Sequence, residues 1–185
     1  DRFDIAGKTY RYNIIEGGFS QPNRAMNQKM ISWVLGHLEN CEDLLELYCG
    51  YGNFTIPMAG KFKKVLATEI SKTSIASALQ NCELNDTHNI TFLRMSAEEL
   101  TSALKKEREY NRLKGIHLED YRFSHVFVDP PRSGMDEASL EFISQFENII
   151  YISCNPETLK RDLEVLTKKY AICHFALFDQ FPNTE

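Results

Sequence analysis

Short apolar runs alternate with amphipathic segments along most of the chain. The amphipathic segments have helical spacing and predict helices that begin at about Asn53, Ser71, Ala97, Asp136 and Pro156. The apolar runs between them predict the strands DLLELY, KVLATEI, ITFLRM, HVFVDPP, NIIYISC and AICHFALFDQF. Because these runs lack two-residue alternation, they are typical of strands covered on both faces of a parallel sheet. The predicted fold class is doubly wound α/β with right-handed crossovers.

The first 22 residues follow a different pattern. FDIAGKTYRYNIIEGGFSQPN alternates polar and apolar residues around glycines, which predicts short strands and a loop. A helix is predicted from about Asn23, a good N-terminal cap, because Met26, Met30, Val34 and Leu38 follow at helical spacing. We therefore expect residues 1–22 to be lead-in strands or the end of a preceding segment. Residues 23–185 are expected to form the main domain, and both chain ends are expected to be cut from a longer polypeptide.

Composition narrows the class of protein. With 185 residues and 43% hydrophobic content, the chain suits one domain with one substantial core. No apolar run approaches the roughly 20 residues that span a bilayer, and the N-terminus lacks a signal-peptide plan. These features predict a soluble cytoplasmic protein, and a monomer is favoured. A net charge of −5 argues against a protein that binds nucleic acid over its whole surface.

One local cluster of basic residues departs from this acidic balance. Two interpretations stay open for it, a solvated helix face and a local contact with RNA. Its members, mixed with Glu107 and Glu109, are Lys105, Lys106, Arg108, Arg112 and Lys114.

A glycine turn follows the first predicted strand of the main domain, in the string ELYCGYGNF. Gly50 and Gly52 permit a tight turn and a close approach of a ligand to the backbone, and the helix that follows offers free N–H groups. A dinucleotide fingerprint would continue with a third glycine, but that position is Thr55. A pyrophosphate site is therefore disfavoured.

Glu69 ends the next strand, roughly 20 residues after the turn, where an acidic side chain accepts hydrogen bonds from ribose hydroxyls in nucleotide-binding folds. Viewed alone, a surface Glu at a strand end is an equally good interpretation. Together with the glycine turn, Glu69 indicates a nucleoside ligand. The missing phosphate fingerprint favours S-adenosylmethionine over NAD.

Asp129 opens the string DPPRSG after the strand HVFV. The two prolines lack an N–H and hold the chain extended, so that Asp129 is presented beyond the carboxyl end of its strand. Ligands bind at this edge of open α/β sheets. A plain strand-ending turn is the alternative interpretation.

Cys154 lies in the string SCNPET, at the end of the strand NIIYI and before a predicted helix, where N–H dipoles favour a thiolate. Cys49, beside the glycine turn, is the rival nucleophile, although we expect it to pack beneath the cofactor. The other cysteines, Cys41, Cys82 and Cys173, are expected to be small core residues. The cysteines and histidines show no metal-ligand spacing, so no metal or disulfide framework is predicted.

The strings LYCGYGNF, ATEI, FVDPPRSG, YISCNPETL and LFDQFPNT, in this order, resemble the RNA (uracil-5-)-methyltransferases. The resemblance extends over nearly the whole chain from Phe19. The insertion EYNRLKGIHLEDY and the ending ALFDQFPNT are similar to the tRNA enzymes that act on the T-loop, rather than to their ribosomal RNA relatives. The family resemblance implies a Rossmann-like class I S-adenosylmethionine-dependent methyltransferase fold whose sheet lacks the last strand.

The resemblance also implies residue roles. Cys154 would attack uracil, and a general base, a Glu, would follow Glu185. The S-adenosylmethionine site would be lined by Gln21, Tyr48, Asn53, Glu69 and Asp129, together with the turn glycines Gly50 and Gly52. The implied substrate is the T-loop uridine of tRNA. Three alternatives remain: a ribosomal RNA uracil C5-methyltransferase, an exocyclic-amine methyltransferase that would not need Cys154, and a non-catalytic module that binds RNA or senses nucleosides.

Overall fold

The computed structural model describes residues 1–14, 20–105, 108 and 110–182. The chain begins with an antiparallel hairpin of β1 (Arg2–Ile5) and β2 (Lys8–Arg11), and helix α1 (Arg24–Gly36) follows. The predicted short strands are thus confirmed, and the interpretation of residues 1–22 as lead-in strands or the end of a preceding segment stays a prediction. The division at residue 22 stays a prediction. Some residues named above lie outside the described part of the chain: Phe19, Lys106, Glu107, Glu109 and Glu185.

A five-stranded parallel sheet forms the centre of the molecule, in the order β5-β4-β3-β6-β7. Its strands are β3 (Asp43–Leu47), β4 (Lys64–Thr68), β5 (Ile90–Leu93), β6 (Phe123–Val128) and β7 (Asn148–Tyr151). The direction of strand succession reverses between β3 and β6. Ligands of open α/β sheets bind at such a reversal, beyond the carboxyl ends of the strands.

The helices begin close to their predicted positions. They are α2 (Thr55–Ala59), α3 (Lys72–Leu84), α4 (Ala97–Leu104), α5 (Glu137–Ile143) and α6 (Pro156–Leu166). Ser71 and Asp136 cap α3 and α5 through their side chains. Helix α2 starts two residues after Asn53 because Gly52, at φ +86°, keeps the preceding backbone in a turn. In the part of the chain that the structure describes, no helix is long and apolar enough to cross a bilayer.

Two hydrophobic cores lie on the two faces of the sheet, as the apolar strands predict. All five residues of β3 are buried. The first core combines β1, α1 and α2 with alternate sheet residues and includes Ile5, Ile31 and Met58. The second core packs α4, α5 and α6 against the opposite face and includes Leu100 and Leu140. This two-sided covering explains why the strand sequences lack polar alternation.

The final predicted strand, AICHFALFDQF, is wrong. Residues 171–179 are described and form no strand. A strand needs a neighbour to satisfy its backbone groups, and in the described part of the chain β7 pairs only with β6. Ile172, Phe175 and Leu177 are exposed, whereas Phe178 turns inward to Trp33, with ring centroids 6.2 Å apart. Apolar composition alone therefore did not determine the structure here.

The described members of the basic cluster do not share one helix face. Helix α4 ends at Leu104, so a common helix face is wrong for Lys105, Arg108, Arg112 and Lys114. Lys105 contacts Glu141 at 3.4 Å, and Arg112 contacts Glu99 at 2.5 Å. These two ion pairs reduce the positive charge that remains for RNA. Contact between this cluster and RNA stays a prediction.

Candidate active site

The sheet register brings the predicted site residues to one edge. Leu47, the last residue of β3, is aligned with Thr68 of β4 and Val128 of β6, and Val128 is aligned with Tyr151 of β7. The next residues after these four strands lead to the glycine turn, to Glu69, to Asp129 and to Cys154. The edge therefore combines backbone amides, carboxylates and a thiol at the point where the strand order reverses.

The glycine turn has left-handed backbone at both glycines, with φ +56° at Gly50 and +86° at Gly52. A Cβ on Gly52 would approach Cδ1 of Ile56 to 3.1 Å, so packing restricts this position. A Cβ on Gly50 would meet nothing within 4 Å, so the backbone is open on that side. Helix α2 has only five residues. The amides of Gly50 and Gly52 already donate to Glu69 and to the Cys49 carbonyl. That the start of α2 offers N–H groups to a ligand stays a prediction.

Tyr48 also adopts left-handed backbone, at φ +64°. For a bulky side chain this conformation costs about 1–3 kcal/mol and is found mainly at functional sites. The ring is half-buried against the second core. Burial and the nearby carboxylates of Glu98 and Asp136 raise the pKa of Tyr48 to about 12, so its hydroxyl stays neutral. The sequence carries no sign of this strain.

Glu69 connects the glycine turn to helix α3. Its carboxylate accepts hydrogen bonds from the Gly50 amide at 3.1 Å and the Ser71 amide at 2.8 Å. These bonds fix the carboxylate at the rim and leave acceptor capacity for a further donor. Beside it, Ile70 is 67% exposed and offers an apolar surface. Ile70 was missed from the sequence, where only an apolar residue beyond a strand end could have indicated it.

Asp129 follows β6 and lies on the same face of the sheet as Phe127, which belongs to the first core. The residue is partly exposed, yet its carboxyl group is largely surrounded by protein, and this burial raises the pKa of Asp129 to about 7. Among the described residues, no group donates a hydrogen bond to this carboxylate. Asp129 therefore titrates close to neutral pH.

Glu46 is a buried carboxyl group below the glycine turn that the sequence reasoning missed. It is 1% exposed within β3. Burial raises the pKa of Glu46 to about 8, the Thr55 hydroxyl opposes the shift, and Asp129 adds to it. Neither Glu46 Oε2 nor Thr55 Oγ1 completes a hydrogen bond of good geometry with the described residues. An acidic residue in an otherwise apolar strand, DLLEL, was the available signal.

Gln21 and Asn53 are already engaged with protein partners. Asn53 is 7% exposed and exchanges two side-chain amide hydrogen bonds with Asn27 of α1, at 2.8 and 2.9 Å. Gln21 accepts a hydrogen bond from Gln180 Nε2 at 3.1 Å. The first contact ties the glycine turn to α1, and the second joins the segment before α1 to Gln180. Direct contact of Gln21 and Asn53 with a cofactor stays a prediction.

The two candidate nucleophiles differ in access. Cys154 is exposed and immediately precedes Asn155, whose side chain caps α6 by accepting from the Glu157 amide at 3.0 Å. Cys49 is 4% exposed within the first core. Burial, and to a lesser degree the charges of Glu46 and Glu69, raises the pKa of Cys49 well above its ordinary value. Cys154 is therefore the thiol that a substrate can reach.

The remaining cysteines only partly match the expectation of small core residues. Cys82 is buried in the first core, and Cys41 is half-buried against it. Cys173 is exposed, so the expectation is wrong there. Its segment, residues 171–179, forms no strand and does not cover it.

Comparison with protein families identifies the chain's relatives. The profile of the family described as tRNA (Uracil-5-)-methyltransferase matches residues 1–185. The tRNA/tmRNA (uracil-C(5))-methyltransferase of Campylobacter concisus is 59% identical over 184 residues, which cover 100% of this chain and 50% of that protein. The enzyme of the same name from Campylobacter curvus is 56% identical over the same share. The chain thus spans about half the length of the curated relatives it matches.

Solved structures agree with this assignment. Pyrococcus abyssi tRNA (uracil-54, C5)-methyltransferase, in complex with S-adenosyl-L-homocysteine, superposes with a TM-score of 0.77 at 27% identity, covering 100% of this chain and 41% of that one. A Thermus thermophilus 16S rRNA N2 G1207 methyltransferase superposes at 0.63 with 18% identity, over 92% of this chain and 45% of that one, and supports the fold alone. The predicted class I S-adenosylmethionine-dependent methyltransferase fold is confirmed. The chain belongs to the tRNA (uracil-5-)-methyltransferase family.

Proposed function

We propose that this chain supplies the cofactor site and the nucleophile for S-adenosylmethionine-dependent methylation of uracil C5 in tRNA. The observation that carries the proposal is the meeting, at one sheet edge, of an open glycine turn, a rim carboxylate at Glu69 and an exposed thiol at Cys154. The first two features suit a nucleoside. The third suits covalent activation of a pyrimidine.

The residues at the edge fit S-adenosylmethionine. Gly50 leaves room for close approach, Glu69 has acceptor capacity for ribose hydroxyls, and exposed Ile70 offers an apolar surface for a flat base. Glu46 Oε2, which has no hydrogen-bond partner among the described residues, marks a polar position below the turn. When bound, the cofactor supplies the methyl group as an electrophile. Asp129 is proposed to lie close to it, as are Gln21, Tyr48, Gly52 and Asn53.

Cys154 is proposed to activate the uracil ring. Uracil C5 is a weak nucleophile, and addition of the Cys154 thiolate to C6 makes C5 electron-rich. The S–C6 bond breaks after C5 has gained the methyl group and lost its proton. To expose C6, the target base has to leave its stack. The exposed position of Cys154 before α6 is compatible with such a flipped base.

Removal of the C5 proton requires a base. From the family resemblance we propose a Glu that would follow Glu185. Within the described chain Asp129 is the second candidate, because a carboxyl with a pKa of about 7 is matched to proton transfer near neutral pH.

The substrate is proposed from the relatives' names. The Campylobacter relatives are named for tRNA and tmRNA, and the Pyrococcus enzyme for tRNA uracil-54. We therefore propose the T-loop uridine of tRNA as the main substrate, and tmRNA as a second one. The ribosomal RNA and exocyclic-amine alternatives are outcomes of the test below.

The test incubates the natural polypeptide that contains this chain with methyl-labelled S-adenosylmethionine and a tRNA transcript, and identifies the methylated atom. Label at uracil C5 is expected, with loss of transfer in Cys154→Ala. Cys173→Ala is the matched control, because Cys173 is also exposed but lies outside the site. Label on an exocyclic amine, or full activity in Cys154→Ala, would overturn the proposal.

A further inference from the structure

Asp162, on α6, is completely buried at 0% exposure. Its carboxylate accepts four hydrogen bonds from three residues on different segments. Arg161 donates from Nε at 2.8 Å and Nη2 at 2.7 Å, Tyr151 donates its hydroxyl at 2.6 Å, and the Met135 amide donates at 3.0 Å. One side chain thus joins α6, the end of β7 and the loop that follows Asp129.

The same loop is tied to the first turns of α6 by a second set of bonds. The Arg132 carbonyl accepts from Asn155 Nδ2 at 3.1 Å and from Thr158 Oγ1 at 3.2 Å. Arg161 Nη2 donates to the carbonyls of Ser133 at 3.1 Å and Met135 at 2.9 Å. Loop residues 132–135 therefore lie against the helix whose capping residue, Asn155, directly follows Cys154.

Gly134 shows how tightly the loop and the helix meet. Its φ is +74°, and an added Cβ would lie 2.5 Å from Arg161 Nη2 and 2.8 Å from Asp162 Oδ2. Only glycine combines this backbone conformation with this proximity. The loop and α6 are therefore in close contact at Gly134.

We propose that Asp162 is a positioning residue. It holds loop residues 132–135, which follow Asp129, against α6 and thereby sets the position of Cys154 relative to the sheet edge where the cofactor is proposed to bind. The inference rests on the function proposed above and adds a residue that touches neither cofactor nor uracil. Stability alone accounts poorly for a completely buried carboxylate, because the cost of its desolvation offsets much of its attraction to Arg161, whose side chain is 54% exposed. The bonds from Tyr151 and Met135 fix the end of β7 and the loop against α6, and the bonds from Arg161 orient the guanidinium that holds the loop carbonyls.

The carboxylate is specifically required because every group that faces it is a donor. The amide of an Asn at position 162 has one acceptor oxygen and one NH2 group. If its oxygen faces Met135 and Tyr151, its NH2 group faces the Arg161 guanidinium. The reverse orientation leaves the Met135 amide unpaired. Asp162→Asn therefore weakens the hydrogen bonds on one side of residue 162, either those from Arg161 or that from Met135, while changing no atom in contact with substrate.

The experiment measures single-turnover methyl transfer by the natural polypeptide that contains this chain, at saturating tRNA and S-adenosylmethionine. We expect Asp162→Asn to lower this rate by about 10- to 100-fold, since a displacement of about 1 Å at a reacting group has an effect of this size. Cofactor affinity by calorimetry is expected to change less than threefold. Glu164→Gln is the matched control, an exposed carboxylate on the same helix with the same loss of charge, and should keep the normal rate.

Two further variants distinguish a positioning effect from a loss of folded protein. Arg161→Lys keeps the positive charge but loses the paired hydrogen bonds from Nε and Nη2 to Asp162. Gly134→Ala pushes the loop away from α6 while Asp162 remains. Both should lower the single-turnover rate with little change in the Michaelis constant for tRNA. If Asp162→Asn, Arg161→Lys and Gly134→Ala melt earlier but react at the control rate while folded, the positioning role is overturned. If Cys154→Ala remains active, the proposed function fails instead, so the two failures are distinguishable.

Discussion

Substitution of Gly50 by Ala separates the fold from cofactor binding. The added Cβ would meet no atom of the protein within 4 Å, so the cost to folding comes from the left-handed backbone at φ +56°. That cost is about 1–2 kcal/mol, which for a chain of this size lowers the melting temperature by about 2–8 °C. A cofactor that lies on the turn would collide with the added methyl group and be displaced from the backbone of the turn. We expect its affinity to fall at least about tenfold, or roughly 1.4 kcal/mol.

Gly7→Ala is the matched control for this experiment. Gly7 lies in the turn between β1 and β2, has φ +81°, and would also place a Cβ within 4 Å of nothing. It should show a similar loss of melting temperature with unchanged cofactor affinity. For both variants, calorimetric titration with S-adenosylmethionine gives the cofactor affinity, and thermal unfolding gives the melting temperature. If Gly50→Ala weakens binding no more than Gly7→Ala, no ligand approaches the turn and the reasoning is refuted.

Three further predictions concern carboxyl and amide groups near the edge. A carboxyl with a raised pKa is protonated on folding, so Glu46 should reduce stability as the pH rises from about 4 through about 8. Urea unfolding should therefore show Glu46→Gln gaining stability over wild type between about pH 5.5 and about pH 8.5, and a pH-independent difference would contradict this. Asn27→Ala should cost about 1–3 kcal/mol because it leaves the buried Asn53 amide unpaired, and a double-mutant cycle that gives simple additivity would argue against this coupling. Glu69→Gln should weaken S-adenosylmethionine binding about tenfold, because one amide oxygen cannot replace a carboxylate that accepts from the Gly50 amide and a ribose; unchanged affinity in calorimetry would exclude the ribose role.

Much of the edge could be predicted from the sequence because its determinants are local. A strand that is buried on both faces has a distinctive apolar pattern, and a parallel sheet brings the residues after each strand to one edge. Gly50, Glu69, Asp129 and Cys154 could therefore be placed together without coordinates. The starts of the helices could also be predicted from the sequence, since a capping residue such as Ser71 accepts a hydrogen bond from an amide only three residues later in the chain.

The missed features depend on contacts between distant segments. The network of Asp162 joins residues from 135 to 162, and no local pattern distinguishes this buried carboxylate from exposed Glu164 two residues later. Glu46 was overlooked because its raised pKa follows from burial by elements that are distant in sequence. The segment AICHFALFDQF has the composition of a strand, but pairing depends on a neighbouring strand that its own sequence does not encode.

The most direct test of the central claim is to trap the covalent adduct. In tRNA that carries 5-fluorouridine, C5 has no proton to lose after methylation, so the enzyme's sulfur stays bonded to C6. Peptide mass spectrometry of the natural polypeptide that contains this chain, incubated with this RNA and S-adenosylmethionine, should find the methylated nucleotide on Cys154 and leave Cys49 unmodified. An adduct on Cys49, or methyl transfer to normal tRNA with no adduct on Cys154, would contradict the account.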